Sequence, residues 1–396
     1  MSLTKKENEF AFVVRAMRYR NYRLFFGGQG VSLVGTWMQS VAISWLVYRM
    51  TNSALMLGVV GFATQIPAFF LTPLAGVLID RWNRYRILVV VQALEALQAL
   101  VLAVLFFSGH ITVWQIVVLS TFLGLASAFE MPARHAFIFE LIEKKEDLSN
   151  AIALNSIMFN SARLIGPLFA GILIASVGEG MCFFLNGISY LAVIAAFLMM
   201  KVDVKNSERK TAHVLKELKD GLAYAFSITP IRYILVLVAI ASLVGVPYAV
   251  LLPVVASQVF HGGAQVFGFL VAATGVGAFL GAVHLAARKT VVGLAGTIAM
   301  AAALFGVGLI LFSFSSVLWI SLILMVFVGY AMIIHMASAN TILQTIVDDD
   351  KRGRVMSLYV MAFIGMMPVG SLLAGVLANR IGAPRTITIS GITCLA

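Results

Sequence analysis

The run Gly166-Pro-Leu-Phe-Ala-Gly-Ile-Leu-Ile-Ala-Ser-Val-Gly178 returns near the far end of the chain as Gly370-Ser-Leu-Leu-Ala-Gly-Val-Leu-Ala-Asn-Arg-Ile-Gly382. Three glycines, an alanine and the aliphatic positions between them keep their places. Each copy lies in an apolar stretch long enough to cross a bilayer, for which about 20 residues are needed. Such stretches fall near 22–48, 54–79, 85–107, 112–131, 149–177, 181–200, 231–256, 265–287, 291–313, 316–345 and 355–379. The two copies therefore occupy the fifth and eleventh spans, equivalent places in a duplicated six-span unit. Parallel repeats about an axis along the membrane normal give two similar bundles. A twelfth span begins after Pro384, but only 385–396 remain, so the last helix is expected to be cut short.

Composition agrees. Of 396 residues, 61% are hydrophobic and only 11% charged, with a mean hydropathy of +0.98. Soluble domains average roughly 45–50% apolar and about 25% charged, so lipid must be the solvent for most of this surface. The runs are long and continuous. Strands of a membrane barrel would instead be short and alternating, and the fold is expected to be all-α. Cys182 and Cys394 sit in apolar runs without metal-ligand spacing and read as packing residues, with no disulfide, metal or cofactor expected. The basic start of the chain lacks the short apolar core of a cleaved secretory signal.

Charge sets the orientation. With the N-terminus in the cytoplasm, 24 of the 28 Lys and Arg fall on the cytoplasmic face. Arg49, Arg380 and Arg385 lie outside it, and Arg163 lies within a span. This is the positive-inside pattern. The net charge of +11 is thus a topology signal and a contact with anionic lipid headgroups, and gives no reason to expect nucleic acid. The expected location is a bacterial inner membrane.

One long polar stretch, 201–230, divides the chain into residues 1–200, a cytoplasmic linker, and residues 231–396. Within the linker Leu215, Leu218, Leu222 and Phe226 recur at helical spacing, as in an amphipathic helix lying on the membrane surface.

The loop after the second span reads Gly76-Val-Leu-Ile-Asp80-Arg81-Trp-Asn83-Arg84-Tyr85-Arg86. It resembles the signature of the major facilitator superfamily: a Gly, an Asp–Arg pair four residues on, then a Gly and basic residues. Asn83 stands where the family has Gly, and Tyr85 where a basic residue is common. Asn tolerates a left-handed backbone, so the turn survives. The resemblance implies two pseudo-symmetric six-helix bundles and a cytoplasmic gate. In that gate Asp80 faces the start of the eleventh helix near 355–358, and Arg84 pairs with Glu130 at the inner end of the fourth. Without the family, the same loop is a short basic segment serving topology. The stretches Glu130-Met-Pro132-Ala-Arg134-His-Ala-Phe, Arg352-Gly-Arg354-Val-Met-Ser-Leu-Tyr359 and Ser161-Ala-Arg163-Leu-Ile-Gly166-Pro167-Leu-Phe-Ala-Gly171 are similar to the enterobactin-exporter branch. The last also partly resembles the Gly-Pro element of proton-driven exporters, with Ala170 in place of its second glycine.

Ionisable groups inside spans point to sites. Glu95, flanked by Gln92 and Gln98, is the acid well inside a span and Arg163 the base. Glu95 reads either as a proton carrier or as a hydrogen-bonded anchor between helices; Arg163 reads as an anion or gate contact or, again, as an anchor. His284, His335, Trp114 and Trp319 read as ordinary. A cavity framed by Trp37, Gln39, Gln65, Asn155, Asn160, Arg163, Tyr248 and Asn340, among many Phe and Met, suits an amphipathic or aromatic organic molecule. The expected function is proton-driven export of such a molecule, siderophore- or drug-like, by a monomer that alternates access between two sides. A lipid or lysolipid flippase on the same fold is the second reading. An integral-membrane enzyme is the third, and it would need His, Asp or Glu clustered at one depth.

Overall fold

A computed structural model describes residues 15–79, 82–201, 223–288, 290–291 and 293–396, with all their side chains except those at 73, 74, 76, 77, 349 and 350. Backbone polar groups in a bilayer core must be satisfied within the segment, and the described chain answers with helices throughout. These are α1 (Arg20–Thr51), α2 (Ala54–Ile79), α3 (Arg84–Phe107), α4 (Val113–Leu141), α5 (Lys145–Val177), α6 (Glu179–Leu198), α7 (Thr229–Ile240), α8 (Tyr248–Gln258), α9 (Ala264–Ala287), α10 (Leu294–Phe314), α11 (Leu318–Ile346), α12 (Asp349–Ile364), α13 (Met366–Ile381) and α14 (Ala383–Leu395). Among the described residues, eleven stretches are long and apolar enough to cross a membrane; α7 with α8 and α12 with α13 each make one of them. Short polar caps separate them. Asn83 Oδ1 accepts from the Arg86 amide at 2.9 Å, and Thr112 forms a capping box with Gln115. Phe70, Val104, Met300, Phe314 and Phe327 point outward, where lipid covers them, and exposed Trp114 and Trp319 mark one interface.

Three helix bounds differ from the hydropathy reading, and each matters below. Helix α4 continues ten residues past 131 to Leu141, with Pro132 inside it. Hydropathy falls at Glu130–His135, yet the helix continues there because Glu130 and Arg134 pair with each other within it. Helix α12 starts at Asp349, so Val355 lies in its second turn. The seventh span is interrupted by a π-helical segment, Ala241–Gly245, followed by Pro247. The surface helix expected in the linker falls mostly outside the described residues.

Helix packing repeats. In the first half α1 packs on α5 and α6, α2 on α4, and α3 on α4 and α6. In the second, the broken seventh span packs on α13 and α14, α9 on α11, and α10 on α11 and α14. The halves meet where α5 lies against α9 and α2 against α13, two contacts exchanged by one two-fold axis. The quoted glycines explain why. A Cβ on Gly166 would sit 2.5 Å from Trp37 Cβ of α1, and one on Gly370 would meet the Leu243 carbonyl of the seventh span. Gly171 lies against Ala264 and Gln265 of α9, as Gly375 lies against Ala54 and Gly58 of α2. Gly178 and Gly382 end their helices at φ 88° and φ 89°, a conformation costly for any side chain. Small residues that let backbones touch are the usual means of joining helices in lipid.

Most of the described Lys and Arg lie on one side of the bundle, here called the basic face; 52–53, 108–112, 259–263 and 315–317 lie on the far face. Contacts between halves run from the far face to the middle. There Gly58 meets Gly375, Gly171 meets Gly268, Trp45 stacks on Phe267 at 6.4 Å, and α8 packs on α1 and α2. Toward the basic face α7 packs on α11 and α12 within its own half. The halves are thus joined by close contacts at the far face and in the middle, with α12 also meeting α2.

Candidate functional site

A band of polar side chains runs through the interior of the first half. Glu95 of α3 is 4% exposed, and Gln92 Nε2 donates to its Oε2 at 3.5 Å. Ser127, Glu130 and Arg134 of α4 act on it electrostatically. Glu130 in turn accepts from Gln29 Nε2 of α1 at 3.0 Å and lies 3.4 Å from Arg134 Nη1. Helical geometry makes this possible: Glu130 and Arg134, four apart, share one face, and burial makes pairing obligatory. Glu130 is thus paired with Arg134 on α4 and tied to α1 through Gln29, with Glu95 of α3 in the same electrostatic neighbourhood. One turn toward the far face, Gln39 Nε2 donates to Gln98 Oε1 at 2.9 Å and Gln39 Oε1 accepts from Asn186 Nδ2 at 3.0 Å, while Thr36 and Tyr190 hydroxyls lie 3.1 Å apart.

A second group lies between the halves at mid-depth. The Arg163 guanidinium sits over the Trp37 ring, 5.7 Å from its centroid, and Trp37 meets Phe159 edge-on at 6.0 Å. Tyr248 of α8, buried and packed on Phe305 at 6.1 Å, is the ionisable group that acts on Arg163. A Cβ on Gly275 of α9 would be 3.1 Å from the Arg163 carbonyl oxygen. The site therefore draws on α1, α5, α8 and α9, and so on both halves.

The expected residues divide between these places. Trp37, Arg163 and Tyr248 come together. Gln39 does not line the central space; it is 2% exposed and bonded inside the first half. Asn155 is buried with Oδ1 unpaired, Asn160 donates to the Ser156 carbonyl at 2.8 Å, Gln65 bonds back to Gly61 at 3.3 Å, and Asn340 accepts from Gln344. Gly166, Pro167 and Gly171 serve helix packing along α5. In the gating motif, Gly76 falls within α2, whereas Asp80 and Arg81 lie outside the described residues. Arg86 is exposed at the start of α3. The expected Arg84–Glu130 pair is replaced: Arg84 Nη1 binds Glu140 Oε1 at 2.8 Å. At about 1.5 Å per residue, the longer α4 sets Glu130 roughly 15 Å deeper than Glu140. Helix α12 starts at Asp349 rather than near 355, and Asp80, its expected partner, lies outside the described residues. Sequence reasoning passed over Arg134, Gln29 and Ser127. The i,i+4 spacing of Glu130 and Arg134 was the one signal available. On the basic face buried Asp147 holds Arg15 at 3.2 Å, Tyr19 Oη at 2.7 Å and Arg18; on the far face Arg49 holds buried Glu179 at 2.9 Å.

Comparison with known proteins places this geometry. Residues 14–396 match the family model MFS_3, described as transmembrane secretion effector. The "Staphyloferrin A transporter" of Staphylococcus aureus is 26% identical over 374 residues, covering 94% of this chain and 93% of the relative. "Macrolide efflux protein A" of Streptococcus pyogenes is 24% identical over 403 residues, covering 96% of each. Among solved structures, nucleoside transporter NupG superposes with a TM-score of 0.72 at 12% identity, over 95% of this chain and 96% of that one. At that identity the likeness speaks for the fold alone, and it is the fold of major facilitator transporters.

Proposed function

This chain belongs to the MFS_3 family of transmembrane secretion effectors, membrane transporters of the major facilitator superfamily, and from that premise we propose that it exports a small amphipathic organic molecule, siderophore- or drug-like, in exchange for protons. The basic face is cytoplasmic, because Lys and Arg concentrate there. The membrane is a bacterial inner membrane, and the cargo loads into the space between the halves from the cytoplasm. The relatives' printed names, a siderophore transporter and a macrolide efflux protein, support that class of cargo.

The observation that carries the proton part is the set Glu95, Glu130 and Arg134. Two carboxylates against one fixed positive charge are balanced when the set holds one proton. Loading and releasing that proton switches the set between neutral and negative in a medium where net charge is costly. Gln29 ties the set to α1, so its protonation bears on how α1, α3 and α4 pack. Glu95→Gln should therefore abolish uphill efflux in proteoliposomes under an imposed pH gradient while leaving downhill exchange largely intact. Wild-type pumping by both Glu95→Gln and Glu130→Gln would remove the proton role. The motif Asp80, Arg81, Arg84 and Arg86 is proposed as the cytoplasmic gate, closing when the halves meet on the basic face.

A further inference from the structure

We propose that the transported molecule carries a carboxylate, and that Arg163 is the group that binds it. This rests on the central space being the path of the cargo. Arg163 stands apart from the other arginines placed near buried acids. Arg49 faces Glu179 at 2.9 Å, Arg134 faces Glu130 at 3.4 Å, and Arg15 faces Asp147 at 3.2 Å. Arg163 lies mid-helix at the seam between halves, and among the described residues no carboxylate or hydrogen-bond acceptor reaches its guanidinium. What the protein offers it is the face of Trp37 and the neighbouring Tyr248. A guanidinium stays charged under all ordinary conditions, and an unpaired cation at mid-membrane is costly. The Trp37 face offsets part of that cost but satisfies none of the five N–H donors.

Geometry favours a ligand over a structural tie. Arg163 is only partly buried although it lies mid-helix where α5 packs on α1 and α9. Its guanidinium lies over Trp37 of α1, its backbone packs against Gly275 of α9, and Tyr248 of α8 is the nearby ionisable group of the second half. The planar fork of the guanidinium matches a carboxylate bidentately. Trp37 and Phe159 beside it supply an aromatic wall for an apolar body. A lipid phosphate is the other oxyanion that could present itself, and the test separates the two.

The experiment is ligand binding to the purified protein in detergent, without any pH gradient, so that it does not depend on proton coupling. The probes are acetate, benzoate, 2-naphthoate and citrate, the neutral 2-naphthamide, and lysophosphatidylglycerol. Wild-type protein should bind at least one carboxylate about tenfold more tightly than 2-naphthamide. Arg163→Gln should lose that preference and Arg163→Lys should keep part of it. Ligand-free Arg163→Gln should also melt at or above the wild-type temperature, since it removes an unpaired buried charge; a structural anchor would melt lower. The proposal is overturned if no carboxylate stabilises wild-type protein more than Arg163→Gln, if 2-naphthamide binds as well as 2-naphthoate, or if only lysophosphatidylglycerol responds. Failure of gradient-driven transport in Glu95→Gln with carboxylate binding intact would separate this site from the coupling site.

Discussion

Gly58→Ala and Gly268→Ala test the claim that far-face closure depends on bare backbone contacts between halves. A Cβ on Gly58 would lie 2.6 Å from the Ser371 carbonyl oxygen and 3.1 Å from Gly375 Cα. At the two-fold-related seam, a Cβ on Gly268 would lie 2.6 Å from the Pro167 carbonyl oxygen and 3.0 Å from Gly171 Cα. The obstructing atoms are helix backbone and cannot swing aside as a side chain would. Overpacking a close contact typically costs about 1–3 kcal/mol. Here that cost falls only on the state in which the far face is closed, so it shifts the balance toward the far-face-open state by about 5- to 150-fold. The two seams share no neighbouring residue, so their effects should add. The assay is labelling of Ser156→Cys, exposed on the basic-face half of α5, with a membrane-impermeant maleimide in inside-out vesicles. Cys182 and Cys394 would be replaced by alanine in the background. Each glycine variant should slow labelling, and the double variant should slow it by the product of the two factors. Unchanged labelling in a well-expressed double variant would refute the reasoning, because closure would then not require the contacts described.

The same labelling assay applied to Asp80→Asn reports on the other gate: labelling should stay at or above the wild-type rate while turnover falls, and wild-type turnover would leave the motif a role in topology alone. Arg134→Leu should destabilise the protein by about 3–5 kcal/mol, because it leaves Glu130 buried without a cation; combining it with Glu130→Gln should restore most of that loss in thermal melting, and purely additive losses would deny the pairing. A cysteine in place of exposed Ser227 should react from the cytoplasmic side only, and reaction from outside would invert the topology.

Some of this was legible from residues alone. The quoted glycines could be paired because each performs the same contact in both halves, so duplication left the same letters behind. Trp37, Arg163 and Tyr248 could be gathered because a charge in mid-span must face inward. Gln39 could not be placed, since a polar residue on a bundle helix satisfies itself equally well toward a neighbour or toward a cavity. Only the positions of Gln98 and Asn186 decide it. The partner of Arg84 was missed for a related reason. Hydropathy treats Glu130, Arg134 and His135 as water-facing, ends the span there, and hides the extra turns that carry Glu140 to the membrane surface. Mutual neutralisation is a property of pairs in space, and a running average along the chain does not see it.

The π-helical segment Ala241–Gly245 distinguishes the seventh span from α1, which runs unbroken through the equivalent place. One spare residue wound into a turn advances everything beyond it by about 100° of helical phase. Tyr248 and the rest of α8 are therefore presented to the centre out of step with their duplicated counterparts. The scaffold is symmetric, yet the chamber it encloses is handed. A cargo held there meets one wall that is not the image of the other, and so is received in a single orientation whichever way the halves rock.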